Sequence, residues 1–147
     1  MKLRSKMPDI KGETHWLNGK VEREDLIGEK PTIIHFWSVS CYDCKESMPE
    51  FISFGERYSE NLNLLAVHMP RSKEDMDIGK VKKTARKYKV TQPIFIDNNM
   101  SLTDVFNNQY VPSYYLFDKK GILRHYQAGG SGMKMLEKRL LKLLNEH

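Results

Sequence analysis

Cys41 and Cys44 are the two cysteines of this 147-residue chain, and only Tyr42 and Asp43 separate them. Thiols at that spacing lie one turn apart if the segment is helical. Such a pair can cycle between dithiol and disulfide: one thiolate attacks a foreign disulfide, and the other resolves the mixed disulfide. Thr32-Ile33-Ile34-His35-Phe36-Trp37, just upstream, is a near-continuous apolar run that suits a strand buried on both faces. Downstream, Met48, Phe51, Ile52, Gly55 and Tyr58 recur at helical spacing, and Pro49 is expected to kink this helix rather than end it. The pair therefore falls at a strand-to-helix junction. Free backbone N–H groups and the positive end of the helix dipole favour a thiolate there. Cys41 is expected to be the exposed attacker and Cys44 the more buried resolver, with Asp43 opposing ionisation slightly.

Other chemistries fit less well. Two inert core thiols one turn apart would account for the spacing but not for the junction. A zinc knuckle needs four ligands, and His15, His35, His68, His125 and His147 are scattered, so no metal is expected. A thiol peroxidase on a similar fold has Ser38 at a suitable place before Cys41, but Ile34 stands where the peroxidatic motif has proline. A non-catalytic basic module would draw on the net charge of +5. The basic residues gather on two segments, Lys80 to Lys89 and Lys134 to Lys142, and read as solvated helix faces. No nucleic-acid motif accompanies them, so no nucleic-acid partner is expected.

The elements around the pair alternate strand and helix. Asn18-Gly19 between His15-Trp16-Leu17 and Lys20-Val21 predicts an N-terminal hairpin. Leu62 to His68 and Pro93 to Ile96 predict further strands, with a basic helix over Asp77 to Tyr88 between them. Ser101 to Asp104 reads as a helix start, Asp104 supplying a weak capping-box acid. Ser113–Phe117 and Ile122–Tyr126 flank a Gly121 turn, and Met133 to Leu144 is amphipathic. The fold class is α/β with a mixed central sheet flanked by helices. The length suits one domain over residues 1–147, residues 1–30 forming an extension that carries the hairpin. The N-terminus is basic but lacks an apolar stretch, so a cytoplasmic chain with no membrane association is expected. His68, at a strand end, reads as structural, and Gly129-Gly130-Ser131-Gly132 as a turn rather than a phosphate cradle.

Tyr110-Val111-Pro112-Ser113 precedes a strand far downstream of the cysteines. Taken together, the pair and this proline loop resemble the thioredoxin fold. The β-run, Met48-Pro49, the Asn18-Gly19 turn and the extra helix between Met69 and Pro93 resemble its TlpA/ResA-like branch. Gly28-Glu29-Lys30-Pro31, Val67-His68-Met69-Pro70, Thr91-Gln92-Pro93-Ile94 and Gln127 to Met133 are similar to the YkuV-type thiol–disulfide oxidoreductases of bacilli. That resemblance implies a cytoplasmic, monomeric thiol–disulfide oxidoreductase without a cofactor. It would act on disulfide-containing protein substrates and be recharged by an upstream dithiol reductant. It further implies a cis Pro112 that leaves the Val111 backbone free to pair with substrate. Tyr42 is a candidate for the substrate rim, beside Tyr110. Some positions depart from the family pattern. Ser40 stands where many relatives have Trp, and Tyr42-Asp43 replaces Gly-Pro or Glu-Pro. His35 occupies the place of a buried proton-accepting Asp, where an imidazole could serve the resolving thiol and titrate near neutrality. Ser47 stands where ResA-like proteins have Glu, and that role is not transferred to Glu46.

Overall fold

A computed structural model describes residues 1–146. The apolar run becomes β2 (Thr32–Trp37), which is buried along its whole length. It lies inside a six-stranded sheet with β1 (His15–Leu17), β3 (Asn63–His68), β4 (Ile94–Ile96), β5 (Ser113–Phe117) and β6 (Leu123–Ala128), in the order β1-β4-β3-β2-β5-β6. β2, β3 and β4 are parallel neighbours, while β1, β5 and β6 run antiparallel to the strands they join. Strand alternation sends Ile33 and Trp37 to one face and Ile34 and Phe36 to the other.

The first face carries three helices, α1 (Tyr42–Arg57), α2 (Ile78–Lys87) and α4 (Met133–Leu144). Phe51 and Phe54 of α1 pack with Leu136 and Leu140 of α4, while Met48 packs with Val81 and Ala85 of α2. α1 runs uninterrupted through Pro49. The opposite face is covered by α3 (Ser101–Phe106) and by Met7, Ile10 and Leu26 from the first thirty residues. Both layers bury the faces that periodicity assigns to them.

Two expectations are corrected. The N-terminal hairpin does not form: β1 pairs with β4, His15 opposite Ile96, and Lys20-Val21 is no strand. Asn18 and Gly19 do turn with positive φ, but the Asn18 amide donates to the Val90 and Gln92 carbonyls, so the turn docks on the β4 side of the sheet. The exposed edge of β4 outcompetes a short polar strand as the partner of His15-Trp16-Leu17. The capping acid of α3 is Asp97 rather than Asp104. Its carboxylate accepts the Leu102 and Thr103 backbone N–H groups at 3.1 and 2.7 Å, and the Thr103 hydroxyl at 2.7 Å. Asp97 directly follows β4, so this carboxylate fixes where the chain turns into α3 and on toward β5. Asp97→Ala is expected to lower stability by about 1–2 kcal/mol, the cost of a lost helix cap, read as a shifted urea midpoint at unchanged slope.

Candidate active site

Cys41 and Cys44 are joined as a disulfide, their Cα atoms 5.2 Å apart. Cys41 is the N-cap of α1, with extended backbone, and its Sγ accepts the Cys44 backbone N–H at 3.0 Å. The sulfur thus takes the position a Ser or Asp oxygen fills in an ordinary cap. An N–H group aimed at Sγ, with the helix dipole behind it, stabilises negative charge on that atom once the bond is reduced. Cys44 is fully buried, whereas the expectation of an exposed Cys41 is corrected: it is only 3% exposed in this oxidised form.

The cover comes from the loop ahead of β5. The Val111–Pro112 peptide bond is cis, and the Val111 carbonyl oxygen lies 3.6 Å from Cys41 Sγ. Neither the Val111 N–H nor its carbonyl enters a backbone hydrogen bond among the described residues. Asn108 holds the loop from behind, donating to the Tyr110 carbonyl at 2.9 Å while accepting the Tyr115 hydroxyl at 2.7 Å. Tyr42 and Tyr110, neighbours in sequence of Cys41 and Val111, are 75% and 63% exposed. The Gly129 N–H donates to the Pro112 carbonyl, and the Gly130 N–H donates to Asp43 at 2.9 Å. This glycine turn therefore ties the proline loop to the residue between the cysteines. A Cβ on Gly130 would stand 2.5 Å from the Asp43 carboxylate and 2.8 Å from Ser47 Cβ, so the approach requires glycine.

The loop entering Cys41 is held equally firmly. The Ser38 hydroxyl donates to the Met69 carbonyl, the Val39 N–H to His68 Nε2 at 3.1 Å, and the Ser40 hydroxyl to Asp75 at 2.7 Å. Three consecutive residues are thus tied to the end of β3 and the segment that follows it.

Residues 3–126 match the AhpC/TSA family. The chain belongs to that family. Thiol-disulfide oxidoreductase YkuV of Bacillus subtilis is 62% identical over 146 residues, covering 99% of both chains. ResA of Geobacillus kaustophilus, also a thiol-disulfide oxidoreductase by name, is 27% identical over 91% of this chain and 71% of its own. The solution structure of a thioredoxin-like protein in the oxidised form superposes with a TM-score of 0.90 at 62% identity, covering 98% of this chain and 97% of that one. The thioredoxin-like fold is therefore established.

Within this AhpC/TSA scaffold, the residues predicted for the site divide. Cys41, Cys44, Val111 and Pro112 come together, and Tyr42 stands at their rim. His35 lies beneath, on the α1 face, stacked on Tyr114 at 4.8 Å and tilted against Phe51 at 4.5 Å. Among the described residues neither ring nitrogen has a hydrogen-bond partner, so His35 makes no bond to either sulfur. Burial pushes its pKa down to about 3, which corrects the expectation of a group titrating near neutrality. His68 is pushed down to about 4, again mainly by burial, and its neutral Nε2 is what accepts the Val39 N–H. His68, Asp75 and Gly130 are residues that sequence reasoning had not assigned to the site. The glycine-rich turn was visible as a motif; nothing marked Asp75.

Both imidazoles resist protonation in the folded state and titrate near 6.5 when unfolded. Between those values the unfolded chain binds more protons, so stability is complete above about pH 6.5 and is lost as pH falls toward 4 and 3. Each histidine should contribute a slope approaching about 1.4 kcal/mol per pH unit in that window. Urea unfolding of wild type and His35→Leu at pH 7, 6, 5 and 4 checks this. The variant is expected to lose about half of the histidine-dependent slope.

Proposed function

We infer that this thiol–disulfide oxidoreductase reduces disulfides in protein substrates, with Cys41 as nucleophile and Cys44 as resolving thiol. The observation that carries the reading is the redox pair at the start of α1, its attacking sulfur beside the unpaired Val111 backbone. In the reduced protein, Cys41 thiolate attacks one substrate sulfur. A mixed disulfide forms and one substrate thiolate leaves. Cys44, deprotonated, then attacks Cys41 Sγ, releasing the second substrate thiolate and closing the Cys41–Cys44 disulfide. Two electrons pass from the protein to the substrate, so the two sulfurs carry the reaction without a cofactor. An upstream dithiol resets the pair by the same exchange.

Val111 offers its N–H and carbonyl to an extended substrate segment, a short form of strand addition. Tyr42 and Tyr110 supply an aromatic rim that suits polypeptide rather than small-molecule disulfides. His35 contributes packing under the site, its imidazole neutral throughout the working pH range. A cytoplasmic location fits the reducing direction, since cytosolic thiol pools keep such a pair charged with electrons. No helix among the described residues is long and apolar enough to cross a membrane. We take the working form to be the monomer, because one chain supplies both sulfurs and the proline loop.

Insulin reduction driven by a small dithiol tests the assignment of roles. Wild type is expected to accelerate precipitation of the insulin B chain, and Cys41→Ser to fall to the uncatalysed rate. Cys44→Ser should still attack but stall, leaving a substrate-linked adduct visible by intact mass. An adduct on Cys44 in Cys41→Ser, with none in Cys44→Ser, would reverse the two roles.

A further inference from the structure

Arg71 lies in the connection after β3, exposed, next to the residue that leads into Cys41. Its Nε donates to Ser40 Oγ at 3.2 Å, and its backbone N–H donates to Asp75 Oδ2 at 2.9 Å. Ser40 Oγ donates in turn to that same carboxylate oxygen at 2.7 Å. Asp75 is 3% exposed, so a buried anion anchors both the backbone of Arg71 and the hydroxyl that receives its side chain. The guanidinium is held at its Nε end. Its terminal nitrogens enter no salt bridge among the described residues.

The other flank of the pair has the opposite sign. The Asp43 carboxylate is drawn to the Gly130 N–H, and Glu46 sits beside the Tyr42 phenol, whose pKa it raises. The Ser40 side of the pair therefore carries an anchored cation and the Tyr42 side carboxylates. A guanidinium with a free outer edge matches a carboxylate through paired N–H donors. Fixing Nε beforehand reduces the ordering cost of that contact.

We propose that Arg71 is a specificity-determining residue, which recognises an Asp or Glu carboxylate next to the disulfide cysteine of a protein substrate. Asp75 and Ser40 are the positioning residues that hold it. The proposal rests on the disulfide-reductase reading above and names the substrate class for that site.

Three disulfide peptides, identical except for Glu, Gln or Lys beside the cysteine, provide the test. Dithiol-driven reduction is followed for wild type, Arg71→Gln and Arg71→Glu, and kcat/KM is compared as ratios between peptides within each protein. Wild type is expected to favour the Glu over the Gln peptide two- to fivefold, the typical worth of one partly exposed ion pair. That preference should fall with added salt and vanish in Arg71→Gln. Arg71→Glu should invert it, favouring Lys over Gln. Equal wild-type rates on the Glu and Gln peptides would overturn the proposal and leave the reductase reading standing. A Glu preference that survives Arg71→Gln would also overturn it, assigning the effect to the general positive charge of the chain. Failure of wild type to reduce any of the three would remove the reductase reading itself, and the proposal with it.

Discussion

The first turn of α1 has backbone N–H groups that no helical carbonyl can satisfy, and at one of them the acceptor is a sulfur. Much of the molecule serves to keep that arrangement in place. β2 is buried on both faces and delivers the chain to the carboxyl edge of the sheet, where it must leave the ladder. A helix starting at once on that edge points its N-terminus at the residue occupying the cap. Because that residue is cysteine, the requirement of helix geometry and the requirement of thiolate chemistry fall on one atom.

Holding a cap residue does not by itself hold a reactive sulfur in register with a substrate. Here the entering loop is tied to the connection after β3, and the proline loop is tied through Gly129 and Gly130 to the start of α1. The ties flank the cysteine pair, and they join loops to one another and to the end of β3 and the start of α1. The site is thus a meeting of loops, each held by a neighbouring loop or by the end of an element. The two buried histidines show the cost of this construction. Each is retained in neutral form inside the core, which makes the fold sensitive to acid.

How much of this was legible in the sequence follows from the range of the interactions. α4 runs over Met133–Leu144 as its apolar periodicity indicates, and β2 and α1 follow their own patterns, because each announces its buried face locally. The cysteine pair and its junction were legible for the same reason. Asn18-Gly19 encodes a turn but not the strand's partner, which was decided by the open edge of β4 far along the chain. Asp75, Ser40 and Arg71 are ordinary polar residues until the fold brings two loops together. His35 had a legible address beneath the pair, but its protonation depends on Tyr114 and Phe51 closing over the ring.

The near-complete cover over Cys41 also bears on the oxidised protein between turnovers. Attack on a disulfide needs a line of approach along the sulfur–sulfur axis, and a sulfur this shielded presents a narrow one. A donor dithiol, small or protein-borne, therefore reaches the pair as the proline loop gives way. Movement of a single loop thus bears on both half-reactions, uncovering one sulfur for the donor and later for the substrate.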